Sequence, residues 1–133
     1  MKRFPYVSII LENMEGEILL LLRENQSITI YPNQWSLLGG RVESGEAPER
    51  AAQRVLEEET GVKTQVLLWR HYDREHPLFT IDQYIFTAQV EDSHQMLVLG
   101  RDTQFFRPCE LAYLNIGYGF KELLQDYLLV KDR

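Results

Sequence analysis

The spacing of apolar and polar positions changes several times along the 133 residues. Residues 6–11 (YVSIIL) are apolar and β-branched, which suits a strand. Residues 12–16 (ENMEG) break the pattern as a turn, and 17–22 resume it as the apolar run EILLLL. Two such runs around a short Gly-containing turn predict a hairpin, and a run without alternation predicts a strand covered on both faces. A polar connection over 26–34 follows, then a short strand at 35–38 that feeds a Gly39-Gly40 turn. From about Glu46 to about Thr60 the spacing becomes helical: at ~100° per residue, Ala51, Ala52, Val55 and Leu56 share one face. Ser44 is the candidate N-cap, Pro48 fits the first turn, and Gly61 fits the position just past the end.

Beyond that helix, 63–69 reads as a strand and 70–77 as a charged loop or an extension of it. Residues 79–90 form a long strand candidate carrying Phe79, Ile81, Tyr84, Phe86 and Ala88. A loop is expected at 91–95, 96–100 fits no period, 103–106 is a short strand, and Pro108 opens a helix reaching 114. Gly117-Tyr118-Gly119 interrupts the chain before an amphipathic helix at 120–130, with Phe120, Leu123, Leu124, Tyr127 and Leu128 at helical spacing. This order predicts one α/β domain over 1–133, a mixed sheet with helices on both faces.

The central helix has an unusual charge distribution. Glu59 falls inside the apolar stripe one turn after Val55, Glu58 lies at its edge one turn after Arg54, and Glu57 points away. A carboxylate facing apolar surroundings needs a partner, and two adjacent carboxylates resist joint ionisation. Arg54 serves Glu58 through the i,i+4 relation. Glu59 is left for a divalent cation, the natural partner of hard oxygen ligands. A solvated acidic face is the plainer competitor, and the flanking glycines together with Arg54 favour the metal.

Residues 40–62, GRVESGEAPERAAQRVLEEETGV, resemble the Nudix box, G-x5-E-x7-R-E-U-x-E-E-x-G-U with U a bulky aliphatic. Gly40, Glu46, Arg54, Leu56, Glu58, Glu59, Gly61 and Val62 match it, and Val55 stands where the family has Glu. Pro32, Trp35 and Leu38-Gly39-Gly40 are similar to the family's lead-in, with Leu38 where Pro is usual. The resemblance implies the Nudix fold, an α/β/α sandwich with a mixed β-sheet. It also implies Mg²⁺- or Mn²⁺-dependent hydrolysis of a nucleoside diphosphate linked to another group. Carried over by position, Glu58 and Glu59 are metal ligands together with the Gly39 carbonyl, Arg54 orients the carboxylates, and Glu46 supports the loop or an outer metal shell. Arg23 and Arg41 stand where the family places basic residues near phosphates, with a plain surface charge as the alternative for each. Val55 can neither ligate nor act as a base. A general base then comes from a later segment (Glu91, Asp92, Asp102 and Glu110 are unranked candidates), or the chain is a catalytically weak nucleotide binder or sensor.

Composition narrows the partners. A net charge of −6 and a pI near 5.1 argue against binding DNA or RNA duplexes or an anionic membrane surface. No run approaches the ~18 apolar residues of a membrane span. Cys109 is the one cysteine, so no internal disulfide forms and a reducing compartment, the cytoplasm, is expected. His71, His76 and His94 lack metal-ligand spacing. Trp35, Tyr72, Phe79 and Tyr84 can stack on a base, with core packing the plainer role, and Phe79 and Tyr84 lie nearest to where a base would sit. The favoured substrates are small nucleotides, first nucleoside triphosphates including oxidised ones, with ADP-ribose and nucleotide sugars as alternatives. Family members are often dimers, so a homodimer stays open.

Overall fold

A computed structural model describes residues 2–23, 33–91 and 103–131, without the side chain of Arg23. In chain order the elements are β1 (Lys2–Glu12), β2 (Ile18–Arg23), β3 (Gln34–Ser36), β4 (Leu38–Arg41), α1 (Pro48–Thr60), β5 (Leu67–His76), β6 (Phe79–Gln89), β7 (Thr103–Phe106), a 3₁₀ helix (Pro108–Tyr113) and α2 (Phe120–Lys131). Most of the polar connection at 26–34, together with residues 92–102, lies outside the described residues.

The seven strands form one mixed sheet centred on β1. Along one edge β1 pairs in parallel with β6 from Lys2↔Phe79 to Glu12↔Gln89. Its other edge is divided. β4 runs antiparallel to it from Tyr6↔Arg41 to Ile9↔Leu38, and β2 meets it only at Glu12↔Ile18. The expected β1–β2 hairpin is therefore joined only at the base of its turn. β2 spends its length on β3 and β7 instead.

Gly39 explains why β4 wins that edge. A Cβ there would sit 2.8 Å from both Tyr6 Cε1 and the Val7 carbonyl oxygen. No other residue lets the backbones approach this closely. Gly39 and Gly40 are accordingly strand residues rather than the expected turn.

Side chains alternate across this sheet between two cores. Val7, Ile9, Leu11, Leu19, Leu21 and Phe86 pack under Ala51, Ala52, Val55 and Leu56 of α1. Ile10, Ile18, Leu20 and Ile85 pack on Leu111 and on Phe120, Leu123 and Leu124 of α2. The apolar run of β2 is thus buried on both faces, and the architecture is the α/β/α sandwich. The far end of α2 is fastened to β1. Glu12, whose side chain is 4% exposed, accepts hydrogen bonds from Tyr127 Oη and Lys131 Nζ. Burial and the Glu12 carboxylate both push the Tyr127 phenol well above its ordinary pKa.

Three local expectations change. α1 begins at Pro48 with Ala47 as its N-cap, so Ser44 is not the cap and Glu46 lies before the helix. Gly61 does close it, in the left-handed region at φ 77°. The strand expected at 63–69 begins at Leu67 and continues through the charged stretch to His76, with an irregularity between Leu68 and Arg70. β5 ends the strand order beside β6, and the charges along it suit a strand at the rim of a sheet. The helix after Pro108 is 3₁₀, held by the Arg107 N–H donating to Glu110 Oε1 at 2.8 Å.

The two cores should respond independently. Leu56→Ala and Leu124→Ala each remove a side chain no more than 1% exposed, and each is expected to cost about 2–5 kcal/mol. Lying on opposite faces of the sheet, the two losses should add in the double variant, as read by urea denaturation.

Candidate functional site

β4 separates the two faces where the site begins. A Cβ on Gly39 would stand 3.1 Å from Ser8 Oγ, on the α2 side, and one on Gly40 would stand 2.9 Å from Val55 Cγ2, on the α1 side. Arg41 ends the strand, and the chain then loops over residues 42–47 into α1. Two backbone bonds shape that loop, Val42 N–H to the Pro5 carbonyl at 3.0 Å and Glu46 N–H to the Glu43 carbonyl at 3.0 Å.

Arg54, from the second turn of α1, closes the loop from the side. Its Nε and Nη2 reach Glu46 Oε2 and Oε1 at 2.9 and 3.0 Å, a two-pronged contact. Nη2 also donates to the Arg41 carbonyl at 2.9 Å, and Nη1 lies 3.5 Å from Glu58 Oε2 and 3.8 Å from Glu43 Oε1. The i,i+4 partner expected for Arg54 is therefore its weaker contact, and its main partner is Glu46, before the helix. The guanidinium bond, followed by the Glu43 N–H donated to Glu46 Oε1 at 3.0 Å, lowers the Glu46 carboxyl from 4.5 to about 2. Arg54 is itself held more firmly protonated by Glu46.

The last turn of α1 presents the acidic run. Glu58 is 62% exposed in its side chain, Glu59 is half-buried, and Glu57 points outward toward Lys63 at 4.0 Å. Thr60 and Gly61 finish the helix internally: Thr60 Oγ1 donates to the Leu56 carbonyl and accepts the Val62 N–H. Among the described residues, no three His, Cys, Asp or Glu side chains gather closely enough to hold a metal ion by themselves. Two adjacent carboxylates still suit Mg²⁺, which keeps several waters and takes one or two carboxylates plus substrate phosphates.

The remaining candidates separate. Arg41 is exposed, and its guanidinium lies 4.3 Å above the Phe4 ring, beside the loop. The Arg23 side chain, Asp92, Asp102 and His94 lie outside the described residues. Glu91 is exposed at the end of β6. Glu110 is occupied by Arg107, whose backbone N–H holds its carboxyl below the usual range. Trp35 and Tyr72 pack on the α2 core, with Trp35 edge-on to Phe106 at 4.8 Å. Tyr84 stacks on His71 at 4.0 Å and Phe79 on His76 at 4.2 Å. Sequence reading missed a buried polar pair, Ser8 and Gln83, both 0% exposed. The signal was there: Ser8 interrupts the apolar run 6–11, and Gln83 falls on the strand face of Phe79, Ile81 and Ile85.

Residues 2–123 match the model of the NUDIX domain. The chain belongs to the Nudix family. That family comprises hydrolases acting on nucleoside diphosphate-linked substrates, which generally use a divalent metal. This Nudix chain is 33% identical over 99 residues to diphosphoinositol polyphosphate phosphohydrolase 2 of Rattus norvegicus, covering 70% of the chain and 51% of that protein. It is 38% identical over 63 residues to an m7GpppN-mRNA hydrolase of Xenopus laevis, covering 47% of the chain and 21% of that protein. The chain thus spans about half or less of these two relatives. Its fold matches the MutT protein of Methanosarcina mazei Go1 with a TM-score of 0.82 at 19% identity, covering 99% and 97% of the two chains. It also matches the NUDIX domain of Shewanella oneidensis NrtR, crystallised with ADP ribose, with a TM-score of 0.77 at 15% identity over 94% and 86%. Among the described residues no helix is long and apolar enough to cross a membrane.

The lowered Glu46 pKa has a pH signature. Its ionised form is favoured by the fold, so the stabilisation is complete above about pH 4.5 and is lost as pH falls toward 2. Wild type should exceed Glu46→Gln in thermal midpoint at pH 7, and the gap should close on acidification. A gap of equal size at pH 7 and pH 2 would contradict this.

Proposed function

We propose that this chain is a Mg²⁺-dependent pyrophosphohydrolase acting on a small nucleotide, with nucleoside triphosphates, oxidised ones included, as first candidates. The observation that carries it is the Arg54 fastening, which ties the Arg41 carbonyl, Glu46 and Glu58 into one unit at the end of β4. Glu58 and Glu59, with the Gly39 carbonyl, would hold Mg²⁺ or Mn²⁺. A divalent ion held there supplies neutralisation of the phosphate charge and a water of lowered pKa. Arg54 acts through the carboxylates it orients, and Glu46 keeps the loop beneath them in place. Arg41 and Arg23 are assigned to the phosphates, the former from a fixed seat on Phe4. Val55 is 3% exposed beneath Gly40, so the base that deprotonates water comes from outside that position. Of the two candidates with a described place, Glu110 is held by Arg107, which leaves Glu91, exposed two residues after β6. The acidic chain and its single cysteine suit the cytoplasm.

A second reading rests on Val55 itself: a chain without the box glutamate can bind nucleotide and turn it over poorly. Phosphate and pyrophosphate release over a panel of nucleoside triphosphates, ADP-ribose and nucleotide sugars, with and without Mg²⁺, separates the two. The enzyme reading expects metal-dependent release that falls by about 10²-fold or more in Glu58→Gln and Glu59→Gln. No release from any substrate, combined with thermal stabilisation by nucleotide, would overturn it in favour of the binder. So would an inert natural chain that gains large turnover on Val55→Glu.

A further inference from the structure

β5 is the last strand of the sheet, and among the described residues no strand pairs with its outer edge. It is ten residues long and contains no proline. Beyond the irregularity between Leu68 and Arg70 it pairs evenly with β6 as far as His76. At the far side of the sheet β3 and β7 have only three and four residues. Short strands, prolines and bulges are the usual means of blunting an edge against further pairing. Over 70–76 β5 has none of these, and its one guard is charge. Apolar side chains stand at both ends of this edge. Leu67 and Leu68 at its start are more than half exposed, and Leu78, in the turn after it, is 78% exposed.

The charges along 70–76 become complementary when the strand is laid antiparallel against its own copy. A continuous sheet keeps its two faces, so residues of one face must oppose each other. Pairing with β6 puts His71, Asp73 and Glu75 on the α1 face and Tyr72 and Arg74 on the α2 face. The two-fold axis must then fall on a residue. On Tyr72 it sets Arg70 against Arg74 twice, and on Arg74 it sets Asp73 against Glu75 twice, both like-charge contacts. On His71 or Glu75 it leaves only 70–72 or 74–76 overlapping within the regular stretch. On Asp73 it sets His71 against Glu75 and Tyr72 against Arg74, each twice, so imidazole meets carboxylate and guanidinium meets a phenol ring. Arg74 is already fixed in its row, since Gln83 Oε1 accepts from its Nε at 3.2 Å and Nη2 at 3.1 Å. The like pair that remains, Asp73 against Asp73, has its countercharge in place, because Arg3 Nη2 donates to Asp73 Oδ1 in each copy. The same register carries the Leu67-Leu68 end of one copy to the turn bearing Leu78 of the other.

We propose that β5 is a homodimerisation edge, along which two copies of this chain join antiparallel over residues 70–76 about a two-fold axis at Asp73. The two sheets then become one. This overlap supplies roughly six to eight backbone hydrogen bonds, two from every second residue pair. A two-fold contact uses the same patch on both copies, which is what a self-complementary strand provides. The charges that keep other strands off the edge are in register only with their own order reversed, and this favours a second copy over a foreign peptide. The inference does not depend on which nucleotide the chain binds.

Sedimentation velocity of the full chain at micromolar concentrations should show a dimer. Two single-cysteine variants, each in a Cys109→Ser background, locate the axis. Asp73→Cys meets its own counterpart and should form an interchain disulfide on treatment with diamide. Glu75→Cys lies about 14 Å along the strand from its counterpart and should not. Leu68→Lys and Leu78→Glu, both at exposed positions, should each weaken dimerisation about tenfold or more. The double variant should recover it, since these positions stand at opposite ends of β5 within one copy and meet only between copies. Thermal midpoints verify that every variant is folded. A natural chain that stays monomeric overturns the inference. So does a dimer that cross-links through Glu75→Cys and not through Asp73→Cys, or one that neither leucine variant weakens, because the contact would then lie elsewhere.

Discussion

One guanidinium holds the candidate site together. Arg54 touches the end of the strand before the loop, Glu46 within the loop and the final turn of the helix. Its side chain is 27% exposed, so the bonds sit partly out of water, where charge-assisted pairs count for more than at an open surface. A lysine would supply the same charge at one point and could not reach three acceptors with fixed geometry. Glu43, Glu46 and Glu58 all lie within 4 Å of its nitrogens, so three carboxylates share this one guanidinium.

β1 carries the consequences of this in both directions. Because β4 occupies half of one β1 edge, β2 is displaced outward to β3 and β7, and the sheet becomes wide enough for a helix on each face. The glycine pair that permits this also assigns faces. Gly39 opens toward Tyr6 and Ser8, and Gly40 opens toward Val55 and the helix. A single backbone approach thus connects the packing of both faces to the start of the loop that leads into α1.

The parts legible in the sequence were those with a local cause. The apolar period of α1, its Gly61 stop and the doubly buried run of β2 each follow from residues within a few positions. Errors arose where a distant partner decided the outcome. Gly39-Gly40 reads as a turn until β1 is laid against it. Ser44 is a good cap by type, yet the helix starts after Glu46 is taken by Arg54. The stretch 70–77 reads as a charged loop or an extension of the strand because its charges are dense, and pairing with β6 decides for the strand as far as His76. Arg74 and Gln83 were lost with it, since their relation exists only across that pairing.

Val55 shows the same logic at the site itself. In the box pattern this position carries an acid, and here its Cγ2 fills the space that Gly40 leaves by having no Cβ. The side chain is 3% exposed and belongs to the core under α1 with Leu38 and Leu56. A carboxylate in that place would lose its solvation against apolar neighbours, at a cost that only a cation or a strong donor would offset. The position has been moved from chemistry to packing, and α1 gains cohesion with β4 as a result. At position 55 the chain thus has an apolar packing contact where the box pattern has a carboxylate.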